Sequence, residues 1–135
     1  MDYYVGLDVS LRSVAVCVID SDGKAVLEQS VPCEIEDIVE CLLAFRTFEL
    51  RLGFEAGAMS QFLFFGLQAV GFDVVCMEAR QVNAALSAMR NKTDKTDARG
   101  IAQVLRSGWY NPVHIKSREA HAVRALLSSR KAVQR

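Results

Sequence analysis

Long apolar runs, prolines and paired cysteines are what this 135-residue sequence has little of. No stretch approaches the roughly 18 uninterrupted apolar residues that span a bilayer, so no membrane-spanning helix is expected. Met1 opens onto acidic Asp2 instead of a basic leader, and a soluble, unexported, cytoplasmic protein is expected. With two prolines and 51% apolar residues the chain can bury one ordinary core, and it is too short for two typical domains. The cysteines, Cys17, Cys33, Cys41 and Cys76, form no CxxC pair. Cys17 and Cys76 lie inside strand-like apolar runs, where a thiol behaves as a small hydrophobe, so all four are read as reduced and none as a metal ligand.

Net charge is also missing, because 16 basic residues balance 16 acidic ones. The balance hides a gradient. From Met1 to Gly57, eleven Asp or Glu stand against four Lys or Arg; from Ala58 to Arg135, five stand against twelve. A basic half attracts polyanions such as nucleic acid through phosphate neutralisation and counterion release. A solvated basic surface would give the same count, so charge alone leaves both readings open.

The pattern along the chain is an ordered alternation. DYYVGLDVS and SVAVCVID read as strands joined by the short turn SLR, and DSDGKA is a second turn, with Gly23 placed for positive φ, leading to a strand near AVLEQSV. After Pro32, EIEDIVECLLAFR carries apolar residues at helical spacing with acids in its first turns, where the helix dipole favours them. RLGFEAG then predicts a strand ending at Glu55, SQFLFFGLQAV a helix stopping at Gly71, and FDVVCME a strand. ARQVNAALSAM and DARGIAQVLRS predict helices, the latter capped by Gly108. The order βββ-α-β-α-β-α-α implies an α/β fold with a mixed five-stranded sheet and helices on its faces. SREAHAVRALLSSRKAVQR predicts a further helix, whose apolar stripe lacks a partner and which is still running where the sequence stops. The expected division is a globular domain over 1–116 and the start of a linker helix over 117–135, a piece of a longer protein.

Four carboxylates stand out. Asp8 sits late in the first strand, where it would cap the turn into SLR or serve a site. Glu55 ends a parallel-type strand, and ligands in such sheets gather beyond the carboxyl ends of the strands; a charge at the mouth of a helix is the competing explanation. Asp94 and Asp97, in NKTDKTDARG, fit an approximate capping box. Their helix face, however, continues through Ile101, Val104 and Leu105, an apolar stripe directed into the protein. Carboxylates aimed there would repel one another unless a divalent cation lay between them and other acids. Such oxygens are hard ligands suited to Mg2+ or Mn2+, and the chemistry they suit is two-metal phosphoryl transfer. Arg90, Lys92, Lys95 and Arg99 around them are candidates for holding a nucleic-acid backbone. Glu78 is read as a helix-start acid in preference to a fifth ligand, His114 and His121 as surface residues, and Trp109 and Tyr110 as packing on the core.

GLDVS, FEAG and RQVNAALSAMRNKTDKTDARGIAQVLRSGWYNPVHIKS together resemble the amino-terminal domain of the DEDD transposases of the insertion sequence 110 family, relatives of the Piv invertase. KTDxxDARGIAQ followed by GW is the specific part. The resemblance implies a ribonuclease H-like, RuvC-like fold with an acidic tetrad falling on Asp8, Glu55, Asp94 and Asp97. It also implies Mg2+ or Mn2+ as cofactor, DNA as substrate, a guide (bridge) RNA as partner, and homo-oligomers formed through the C-terminal helix. The family's second domain, with its serine nucleophile, has no counterpart in these residues, and no serine here matches its motif. Two other classes compete: an actin-like ATPase lobe, against which the turn SLRS lacks phosphate-cradling glycines, and a non-catalytic RNA-binding or assembly module.

Overall fold

The computed structural model describes residues 2–88 and 97–116. Five strands form one sheet: β1 (Asp2–Val9), β2 (Ser13–Asp20), β3 (Ala25–Pro32), β4 (Glu49–Glu55) and β5 (Asp73–Met77), in the order β3-β2-β1-β4-β5. β1, β2 and β3 pair antiparallel as a meander, while β4 and β5 continue from β1 in parallel. The mixed five-stranded α/β sheet expected from the pattern is what the chain forms.

Two tight turns make the meander. Ser10 N donates to Ser13 O at 2.9 Å in the first. In the second, Gly23 takes φ +88°, and Asp20 Oδ1 accepts the amides of Asp22 and Lys24, each at 2.9 Å. The second turn is further tied to α4 (Asp97–Ser107), where Gln103 Nε2 donates to Gly23 O at 2.8 Å. The positive φ favours glycine at position 23, whereas the Arg106 guanidinium, 2.8 Å from where a Cβ would stand, is the end of a flexible side chain that could move aside.

Strand alternation sends side chains to two different interiors. Val5, Leu7, Val14, Val16, Val18, Leu52 and Phe54 join a large cluster with Ile38 and Leu42 of α1 and its exit, and Leu63 and Leu67 of α2. α1 spans Ile35–Cys41 and α2 spans Ser60–Val70. On the opposite face, Cys17 and Ile19 meet Ala98 and Ala102 of α4, while Met77 meets Ile101 and Val104 of α4 and Val82 and Ala85 of α3 (Ala79–Ala88). No helix among the described residues is long and apolar enough to cross a membrane.

α2 stops at Gly71 in the left-handed conformation (φ +112°), and α4 ends at Gly108 with φ +81°, both as the sequence predicts. The helix expected over 34–46 is shorter. α1 ends at Cys41, and Leu43–Phe45 forms a 3-10 turn. Three residues per turn bring Leu42 and Phe45 to one side. Leu42 is thereby buried and Phe45 meets Tyr3 edge-on, with ring centroids 5.1 Å apart.

After α4 the chain returns along the free side of β5. Pro112 bridges Met77, Val113 N donates to Cys76 O at 2.7 Å, and Gln61 Nε2 donates to Lys116 O at 3.4 Å. Residues 117–135, assigned from sequence to a linker helix, lie outside the described residues.

Candidate active site

Register brings the first two carboxylates together. β1 and β4 run parallel with Gly6 opposite Gly53 and Leu7 opposite Phe54, so the next residues along, Asp8 and Glu55, are neighbours across the two strands. Adjacent strands lie about 4.8 Å apart, and in-register side chains point to the same face. That face is the one under α4. A Cβ on Gly6, two residues before Asp8, would stand 2.5 Å from the Ala102 nitrogen, and one on Gly53, two before Glu55, would stand 3.2 Å from the Leu105 side chain. Asp8 and Glu55 therefore leave the sheet at the carboxyl ends of two central strands, on α4's side. Ligand sites in open α/β sheets form in this position.

A cleft of about 320 Å³ opens there. Asp8, Ser10, Glu55 and Ser60 give it polar lining, and Leu11, Met59, Leu63 and Ile101 supply apolar walls. The loop after Glu55 is fixed at its base: Ala56 N donates to Met77 O at 2.9 Å, and Ser60 Oγ accepts from Gly57 N and donates to Gly57 O, both at 2.8 Å.

α4 supplies the third side. Its first residue is Asp97, one turn before Ile101, and Ile101 lines the cleft. The sheet thus meets the start of α4 at the two strand carboxylates. Asp94, Arg90, Lys92 and Lys95 lie outside the described residues, as does the side chain of Asp97. Among the described residues no group of three or more His, Cys, Asp and Glu is arranged to hold a metal ion.

Arg99, a candidate phosphate contact from the sequence, reaches across to β3. Its Nε donates to Glu28 Oε2 at 2.8 Å, and its Nη2 closes the same ion pair. Glu28 also accepts from the Cys17 thiol at 3.8 Å. Burial, followed by the charge of Glu28, pushes that thiol up to about 11, so Cys17 is a neutral core group. Glu78 precedes α3, with its carbonyl accepting the Val82 amide and its carboxylate accepting Asn111 Nδ2 at 3.3 Å, which is a helix-start role. His114 is exposed, and His121 lies outside the described residues. Tyr110 packs against the α3/α4 cluster as expected, but Trp109 is 53% exposed. The Trp109 amide bonds to Ser107 Oγ at 3.0 Å just beyond the left-handed Gly108, and this turn carries the indole away from the core.

Leu11 was not a sequence candidate. The available signal was a large apolar residue in a two-strand turn, a place usually given to Gly, Asn, Asp or Ser.

Two solved structures share this architecture. A Thermus thermophilus RuvC in complex with a Holliday junction substrate is 14% identical, covering 84% of this chain and 100% of that one with a TM-score of 0.58. A second Thermus thermophilus RuvC structure is 16% identical, covering 82% and 99% with the same TM-score. At such identities the likeness establishes the fold, which is RuvC-like and ribonuclease H-like. No curated protein sequence matches the chain. The sequence profile of the insertion sequence 110 DEDD family, described as transposase, matches residues 5–135, and the chain belongs to that transposase family.

Proposed function

We propose that this is the catalytic domain of a DNA transposase that cleaves and transfers strands with divalent metal, and that Asp8, Glu55, Asp94 and Asp97 form its acidic tetrad. The observation that carries the reading is the register of β1 and β4, which sets Asp8 beside Glu55 at the cleft while α4 begins at Asp97 over the same end of the sheet. The donor set fits Mg2+ or Mn2+: two carboxylates share one face, and no Cys or His is among the described residues lining the cleft. When bound, such ions activate an attacking oxygen and stabilise a leaving oxygen in phosphoryl transfer.

The chain's own part is placement. Asp8 and Glu55 bring two carboxyl groups to adjacent register positions of the sheet, and the Gly57–Ser60 bonds hold the adjoining loop. Arg90, Lys92, Lys95 and Arg99 belong to the basic half of the chain and supply attraction for a phosphate backbone. DNA as substrate is supported by the transposase family and by the Holliday junction bound to the RuvC relative. Family membership favours this reading over an ATPase lobe. A guide RNA and oligomers formed through the C-terminal helix complete the proposal for the full-length protein, working in the cytoplasm at the nucleoid.

The test is titration of Mg2+ and Mn2+ into wild type and Asp94→Asn, by calorimetry and thermal shift, with and without a short duplex. Saturable stabilisation confined to wild type is expected. An identical response from both proteins in every condition would remove Asp94 from the metal site and turn the acids into helix and turn caps.

A further inference from the structure

The tip of the β1–β2 turn carries Leu11, which is 91% exposed. A single exposed leucine needs no explanation. This one, however, continues an apolar wall, because Val9, Ala58 and Met59 line the same cleft beside it. The tip is also held from both sides. Ser10 N and Ser10 Oγ donate to Ser13 O at 2.9 and 3.0 Å, and Arg12 O accepts the Cys33 amide at 3.2 Å. A fixed backbone therefore presents a bare apolar side chain three residues from Asp8, with exposed Arg12 next to it.

The occupant follows from the chemistry on either side. Carboxylates that act on a phosphodiester bring a nucleotide into the cleft, and every base offers an apolar face that a leucine can cover. Arginine beside it suits the adjoining phosphate. At about 320 Å³ the cleft stands at the lower end of small-ligand sites, a size that suits one splayed nucleotide.

We propose that Leu11 is a specificity residue that packs against the base next to the scissile phosphate, taking the place of its stacking neighbour, so that the strand is bound unpaired at that step. This rests on the DNA-cleaving reading above. It adds a substrate preference for strands already opened.

The experiment measures affinity of the full chain, in Ca2+, for a short fluorescein-labelled DNA duplex that is either fully paired or carries unpaired thymines at its centre. Wild type is expected to favour the opened duplex by about tenfold, a factor at the lower end of what base stacking on a side chain contributes. Leu11→Ala should lose that preference while binding the paired duplex as wild type does, and Leu11→Phe should keep it. Because Leu11 is almost wholly exposed, the alanine variant should also keep the wild-type melting temperature. Retention of the preference by Leu11→Ala, or its absence from wild type, overturns the role of Leu11 alone. Failure of wild type to bind either DNA instead overturns the nucleic-acid reading, and this proposal with it.

Discussion

The two faces of the sheet are built to different thicknesses. Toward α1 and α2 the strands present Val5, Leu7, Leu52 and Phe54 to Leu63, Leu67, Ile38 and Leu42, a layer of large side chains. Toward α4 they present Gly6 and Gly53 at the centre, and the helix answers with Ala98 and Ala102 over Gly6. Large side chains hold a helix at a distance and can adjust; backbone against backbone cannot. The thin face is also the one from which Asp8 and Glu55 emerge. Close approach there fixes where the first turn of α4 lies relative to the strand carboxylates, and the thick face carries the largest cluster of buried apolar residues among those described.

The comparison makes graded predictions. On the metal-dependent reading proposed above, Asp8→Asn or Glu55→Gln should lower DNA strand cleavage by the full-length transposase at least about 100-fold, since ions aligned by these acids would supply several kcal/mol at the transition state. Circular dichroism of each variant should show the wild-type fold; a loss of activity accompanied by a loss of fold would make these acids structural. On the thick face, Phe54→Ala should cost about 3–5 kcal/mol in urea unfolding by leaving a cavity. On the thin face, Gly6→Ala adds one methyl group and should still cost about 3 kcal/mol, because its new neighbours are backbone atoms of α4. A near-neutral Gly6→Ala would erase the distinction between the faces.

Alkaline pH probes the thin face from within. The Cys17 thiol has an ordinary value of 9.0 and sits at about 11 in the fold. The unfolded chain therefore loses this proton first, so the contribution to stability is intact below pH 9 and is lost as pH rises toward 11. Cys17→Ala should flatten the decline of melting temperature over that window. Some slope should remain, because burial also raises the Cys33, Cys41 and Cys76 thiols. The smallest effect belongs to Arg99→Ala. Its ion pair with Glu28 is about 40% exposed on each side, 41% and 38%, and such pairs contribute less than about 1 kcal/mol. Exchanging the two charges should restore even that, by double-mutant comparison of urea midpoints.

Elements were legible in the sequence where pattern and punctuation agreed. Gly71 and Gly108 end α2 and α4 where a left-handed residue is needed, and Asp8 and Glu55 occupy the strand ends that the alternating pattern predicts. What stayed hidden depends on partners distant in the chain. Arg99 looks like an unengaged cation until β3 brings Glu28, 71 residues earlier, alongside it. The neighbour relation of Asp8 and Glu55 is set by inter-strand register, which no single strand's pattern contains. Leu42 and Phe45 continue a helical spacing, but burying Leu42 while Phe45 meets Tyr3 edge-on is served better by a tighter turn. Trp109 fits a packing residue by type, while the geometry after Gly108 turns it to solvent.

The chain's two prolines bear on its behaviour in concentrated solution. Pro32 ends β3, the outermost strand on one side, and Pro112 bridges Met77 beyond β5, on the other. Neither offers an amide hydrogen to an incoming strand. Both flanks of the sheet thus carry a residue that interrupts the hydrogen-bond ladder another copy would need to dock edge to edge. Few as they are, the prolines stand where they discourage sheet-to-sheet aggregation.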